Sequence, residues 1–286
     1  MSRVAIVTDS ASDFDPARAA FLGIAIVPLL VTFGNDTYQA GVDLSTDEFW
    51  KLMTDPASPF PKTAACSPGE FQKVYQKAFD DGAEAIVSVH VAGTLSGTIK
   101  SAEVARATFK DREIQIVDSM GASMGEGVLA ERGVEMANAG ASAAEIAETL
   151  TRRREDIGIY LALDTLEYLK RGGRISGARA AIGTLLSVKP IIEVKNGEVE
   201  QADKVRTRGK ARERLIELLT ARPVERLSVL HTTEAGVEAF AEELIARAGI
   251  DRSKATIDLV GPSVGPHVGP GCVGGVALWA EGSKAS

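Results

Sequence analysis

Six short stretches of the chain are apolar at nearly every position: VAIVTD at 4–9, AIVSVHV at 85–91, IQIVD at 114–118, GIYLAL at 158–163, LSVLHT at 227–232 and TIDLVG at 256–261. Unbroken runs of this length, rich in Val and Ile, mark strands covered on both faces, as in a parallel or mixed sheet. Between them the apolar positions recur at helical spacing: LSGTIKSAEVARATFK after Gly93, SMGEGVLAERGVEMANAG after Asp118, SAAEIAETLTRRR at 142–154, GARAAIGTLLSV at 177–188 and GVEAFAEELIARAG after Thr233. Strands alternating with helices predict an α/β fold. In the second half, PIIEVKNGEVEQA carries Asn196-Gly197 between two alternating runs. A primed turn needs positive φ at both positions, so this stretch predicts an antiparallel hairpin. The charged RRRED segment divides the chain into residues 1–157, an α/β domain with a mainly parallel sheet, and 158–286, an α/β domain with a mixed sheet. A terminal strand could still return to the first sheet.

Composition narrows the class. The 286 residues carry a net charge of −7 and two cysteines, Cys66 and Cys272. An acidic chain is poorly suited to nucleic acid or an anionic membrane. Two cysteines outside any CxxC pair build no disulfide framework, and with no signal-peptide pattern they point to a reduced, cytoplasmic setting. The most apolar segment, IAIVPLLVTF, is about ten residues long and contains Pro28, too short to insert across a bilayer.

Ligands of parallel sheets collect at the carboxyl ends of the strands, and polar residues cluster there. Thr8-Asp9-Ser10-Ala11-Ser12-Asp13 follows the first run, Ala92–Thr98 the second, Asp118-Ser119 the third, and GPSVGPHVGPG, with His267 in a composition ill-suited to a helix, follows the last. Ser96-Gly97-Thr98 opens a helix, and a helix N-terminus attracts anions. Ser or Thr there serves equally as a plain N-cap. Asp9 is a candidate base or metal ligand, or a cap for its turn. His90, inside an apolar strand, reads as a hydrogen-bonded core histidine. His90, His231 and His267 lack a partner at ligand spacing, so no metal site is expected. There is no G-x-S-x-G elbow and no Walker A loop. Ser96 and His267 would make a nucleophile and base if the fold joined them. Two basic clusters stand out in an acidic chain: Lys170, Arg171 and Arg174 around Gly172-Gly173, and Arg206-Thr207-Arg208-Gly209-Lys210. Each reads either as an anion contact or as a solvated helix start.

Taken in order and spacing, TDSASDF at 8–14, KTAACSPGEF at 62–71, LSGT at 95–98, VDS at 117–119, LKRGGRIS at 169–176, the KPII strand with its hairpin, RTRGKA at 206–211 and GPHVGPG at 265–271 resemble the DegV family of bacterial fatty-acid-binding proteins over nearly the whole chain. The resemblance implies two α/β domains with a long-chain fatty acid, palmitate- or oleate-like, between or within them. It implies no cofactor, no metal and no catalysis. It also implies the carrier half of a fatty acid kinase system: a separate kinase subunit phosphorylates the bound carboxylate, and the carrier holds the acyl phosphate for phospholipid synthesis. By position, Thr63 and Ser96 match hydroxyls that contact the carboxylate, with Ser67 and Gly97 beside them. His267 matches the histidine of the headgroup network. Arg171 and Arg174 match arginines near that end, and Arg206 and Arg208 a basic segment for kinase docking. The chain departs where the family reads close to TSQPSPGEF: Ala64 lacks a hydroxyl and Cys66 replaces a proline. The rival reading is an α/β enzyme, either a Ser/His acyl hydrolase or a small-molecule phosphotransferase.

Overall fold

A computed structural model describes residues 3–175, 188–233 and 236–283. The strands are β1 (Val4–Asp9), β2 (Ala25–Val27), β3 (Leu30–Phe33), β4 (Asp36–Gln39), β5 (Lys62–Ala64), β6 (Ala85–His90), β7 (Glu113–Asp118), β8 (Ile157–Ala162), β9 (Lys189–Lys195), β10 (Glu198–Val205), β11 (Val224–His231), β12 (Ala255–Leu259) and β13 (Val273–Trp279). The helices are α1 (Pro16–Leu22), α2 (Thr46–Thr54), α3 (Pro68–Asp80), α4 (Thr98–Arg106), α5 (Met124–Asn138), α6 (Ala143–Arg153), α7 (Glu167–Arg171), α8 (Arg208–Leu219), α9 (Val237–Ala248) and α10 (Gly265–Val268). The helix expected over 177–188 falls almost wholly on residues outside this description, as does Ser176. Among the described residues no helix is long and apolar enough to cross a membrane.

The α/β expectation holds. Four parallel strands run in the order β2-β1-β6-β7. Central β6 is buried at all six positions, which is why its sequence shows no polar alternation. The second sheet, β10-β9-β8-β13-β11-β12, is antiparallel except where β11 meets β12. Its β9–β10 hairpin turns at Asn196 and Gly197, with φ of 50° and 77°, as the Asn-Gly pair predicts. C-terminal β13 lies at the centre of this sheet, between β8 and β11, and does not return to the first. Pro28 splits IAIVPLLVTF: the first half becomes edge strand β2, and the second becomes β3 of a small antiparallel sheet, β4-β3-β5.

Helix α5 packs against strands of both large sheets. It carries Glu131, which ion-pairs with Arg18 of α1 and Arg226 of β11. Arg18 also reaches Asp258 of β12 at 2.9 Å. Beneath the carboxyl end of β1 a buried chain of hydrogen bonds runs from α3 to α5. The Tyr75 hydroxyl donates to Ser88 (2.8 Å), Ser88 pairs with His90 Nε2 (2.6 Å), His90 Nδ1 lies 3.0 Å from Asp9 Oδ2, and Thr8 and the Asp9 amide both donate to Glu126 Oε1. His90 is thus the hydrogen-bonded core histidine its strand implies. Burial, reinforced by the nearby charge of Asp9, raises the pKa of Glu126 well above 4.5. The unfolded chain therefore loses this proton first as pH rises, and the native state is progressively destabilised above about 4.5 by up to ~1.4 kcal/mol per pH unit. Glu126→Gln copies the protonated form. Urea unfolding at pH 5 and pH 8 should show the variant gaining stability relative to wild type at the higher pH. Parallel pH dependences would show that Glu126 folds ionised.

Candidate functional site

Between the loops after β1, β6 and β7 and the inner face of the second sheet lies a narrow slot. Its volume is about 110 Å³. One wall comes from Ala11, Val91, Leu95 and Ala122, each just beyond a parallel strand, as the carboxyl-end rule anticipates. Alternate residues of the second sheet form the other: Ile159 and Leu161 on β8, Ile192 and Val194 on β9, and Val199 on β10. The polar groups on the lining include Thr63, Ser96, Arg174, Ser263 and His267.

The structure brings Thr63, Ser96, Gly97, Arg174 and His267 to this one cavity, from four separate parts of the chain. Thr63 sits on β5 and shares a 2.9 Å hydrogen bond with His267 Nε2. His267 lies on α10, a single helical turn with proline at its start, where composition pointed away from a helix. Burial, then the positive charge of Arg174, lowers the pKa of His267 to about 4, so the ring is neutral at pH 7. Its Nδ1 is buried with no hydrogen-bond partner among the described residues. It packs on Gly172, where a Cβ would stand 2.1 Å from Nδ1. The Gly-Gly pair thus meets two demands, because Gly172 makes room for the imidazole while Gly173 takes a φ of 72°. Arg174 donates to Leu95 O (3.0 Å) and Gly172 O (2.7 Å), tying the end of α7 to the Ser96 loop.

Helix α4 starts at Gly97 with no side-chain cap. Ser96 is not that cap. Its hydroxyl pairs with Thr98 Oγ1 at 2.8 Å and accepts from the Thr98 amide. Thr63, not Ser96, is the hydroxyl that meets His267.

Other expected site residues lie elsewhere. Ser67 is exposed and caps α3, accepting from the Glu70 amide. Arg171 lays its guanidinium 3.7 Å over the Phe60 ring, which stacks on Tyr168. Arg206 is exposed before α8, and Arg208 donates to Asp164 Oδ2 at 3.0 Å while Lys189 holds the other oxygen. Ala64 lines the slot where a hydroxyl was missing, and Cys66 is buried behind it, its thiol pushed up to about 12 by desolvation. The sequence reading missed Ser263, whose hydroxyl pairs with Ser10 at 2.8 Å. It lies four residues before His267 in the same loop, and that proximity was the one signal for it. It also missed that Asp9, His90 and Glu126 converge, with candidate ligand atoms within 4.8 Å of one another. Both Asp9 oxygens already accept hydrogen bonds, Oδ1 from the Ala11 amide and Oδ2 from the Val91 amide and His90, while Glu126 Oε2 is buried with no hydrogen-bond partner among the described residues.

Fold and site together define an α/β protein with a mainly apolar cavity between its sheets, ending on hydroxyls and a neutral histidine. The chain belongs to the DegV family: the family model, described as "Uncharacterised protein, DegV family", matches residues 3–279. It is 36% identical over 287 residues to a DegV domain-containing protein of Streptomyces coelicolor, covering 96% of this chain and 98% of that one. Among solved structures it is similar to a Thermus thermophilus DegV family protein described as fatty acid binding, with 34% identity, a TM-score of 0.86, and coverage of 97% of this chain and 100% of that one. It is also similar to a stearic acid-binding protein of Eubacterium ventriosum, with 27% identity, a TM-score of 0.86, and coverage of 97% and 98%.

The fit of His267 against Gly172 is open to a direct check. Gly172→Ala should expel the ring toward solvent, and its pKa should climb from about 4 toward the ordinary 6.5 in an NMR titration of the imidazole protons. An unchanged titration would mean that the ring does not depend on this contact.

Proposed function

We propose that this protein binds a long-chain fatty acid in the slot and presents its carboxylate, in the cytoplasm, to a partner kinase for acyl phosphate formation. The observation that carries the reading is a narrow apolar slot ending on the Thr63–His267 pair. A fatty carboxylate is ionised near pH 7 and must find donors once buried. Thr63, Ser96, the uncapped start of α4 and Arg174 offer them. Each methylene taken from water contributes about 0.8 kcal/mol, so the apolar walls supply most of the affinity. Related DegV proteins described as fatty acid binding support the same ligand.

The hydrolase reading is weaker on geometry. Ser96 is engaged with Thr98, and His267 Nδ1 meets a glycine where a catalytic base would meet an orienting carboxylate. The protein is therefore read as a carrier and not a catalyst, and Arg206 and Arg208 as the edge that the kinase contacts.

Mass spectrometry of an organic extract of the purified protein should reveal a bound fatty acid. After delipidation, palmitate or oleate should bind, and Thr63→Ala or His267→Ala should weaken binding by roughly tenfold or more, the worth of one hydrogen bond to a charged group. A delipidated protein that ignores both acids refutes the reading, and turnover of an acyl ester would favour the enzyme. For the kinase, Arg206→Ala with Arg208→Ala should leave palmitate binding intact and abolish phosphorylation by the cognate enzyme. Phosphorylation at the normal rate would remove these arginines from the docking surface.

A further inference from the structure

The slot and a neighbouring cavity share two lining residues, which form a partition between them. Ile159 of β8 and Val194 of β9 line the slot, and the same two residues line a second cavity of about 240 Å³. Strands β8 and β9 pair at Ala162–Ile191, Leu161–Ile192 and Tyr160–Glu193. One more step would set Ile159 opposite Val194, so the partition stands where the paired ladder ends. The second cavity has a different character, with Arg154, Glu155, Glu193 and Lys195 on its lining. Ile159 is held in place from the other side. Its Cδ1 fills a notch over Gly121 and Gly125, and a Cβ on those glycines would come within 3.0 and 2.3 Å of it. Neither glycine has left-handed backbone, so the notch is a matter of space and not of conformation.

We infer that Ile159, seated against Gly121 and Gly125, is the stop that sets the longest acyl chain this protein accepts. The inference rests on the fatty-acid reading of the slot. Methylenes laid along apolar walls add affinity, whereas a methyl end forced past Ile159 would displace water from charged side chains and gain little. The two sides of the contact give opposite tests. Ile159→Ala shortens the stop by three carbons and opens the way to the second cavity. Gly125→Ala, at a helical position where alanine is favoured, drives Ile159 into the slot.

Delipidated wild type and both variants would be titrated with tetradecanoate, palmitate, stearate and eicosanoate. The optimum should lengthen by about two carbons in Ile159→Ala and shorten by a similar step in Gly125→Ala. Should Ile159→Ala fail to fold, Val194→Ala removes the other half of the partition and should shift the optimum the same way. An optimum unmoved in every folded variant, with binding intact, overturns the stop. Wild type that binds none of the four acids overturns the fatty-acid reading itself, which is a different result.

Discussion

A hydrogen bond between Thr63 and His267 joins positions 204 residues apart at one end of the slot, and it is one of a set that fixes how the two halves of the chain meet there. The two large sheets share one apolar core, running from β1 and β6 through α5 to β8, β9 and β13. Around the cavity specific polar links are added to it. The Trp50 indole donates to Val260 O at 2.8 Å, the Gly261 amide to Asp13 at 2.9 Å, and Ser10 pairs with Ser263. All of these, with Thr63–His267, fasten the segment 260–267 onto the first half of the chain. That segment is the strand-end loop in which His267 sits, so one stretch both clamps the halves and furnishes the site.

The clamp accounts for the loop's unusual composition. A short turn of helix at Gly265–Val268 must approach Phe49, Trp50, α7 and the β5 strand together. A Cβ at Gly265 would stand 2.4 Å from the Phe49 ring, and one at Gly269 would stand 2.2 Å from Tyr168. Glycine is needed there for proximity. What looked like flexibility is close packing, and His267 is held between Thr63 and Gly172 at the cavity's edge rather than left in a mobile loop.

The strands of the two large sheets were legible because burial on both faces leaves a plain apolar run, and the hairpin because Asn-Gly demands one turn geometry. The small sheet was not, since β4 and β5 are short and largely exposed and carry no strong period. The position of β13 was not, because VGGVALW carries two glycines and strand order depends on long-range pairing. In the site, strand ends drew attention to Ser96 and His267 from physics alone, but Thr63 entered only through resemblance. Nothing local marks a threonine on a three-residue strand as the partner of a histidine far along the chain. Arg171 and Ser67 show the converse: a basic or hydroxyl residue near a motif can be spent on stacking or capping.

Burial behind the slot's first-sheet wall limits how much negative charge stands there. Asp9, Asp13 and Glu126 all lie buried near the first-sheet side, with Asp9 accepting hydrogen bonds from the Ala11 and Val91 amides. If all three were fully ionised, an anion bound in the slot would meet like charge at low dielectric. Burial pushes Glu126 well above the ordinary carboxylate range and Asp13 to about 7, with a hydrogen bond from the Gly261 amide opposing the shift at Asp13. The same desolvation keeps His267 neutral, beside Arg174. The cationic influence at that end is therefore carried by Arg174 and the start of α4. Arg174, the first amides of α4 and the Thr63 hydroxyl are thus the groups that the carboxylate proposed for this slot would meet, and the neutral ring of His267 adds a hydrogen-bonding partner for Thr63 without adding charge.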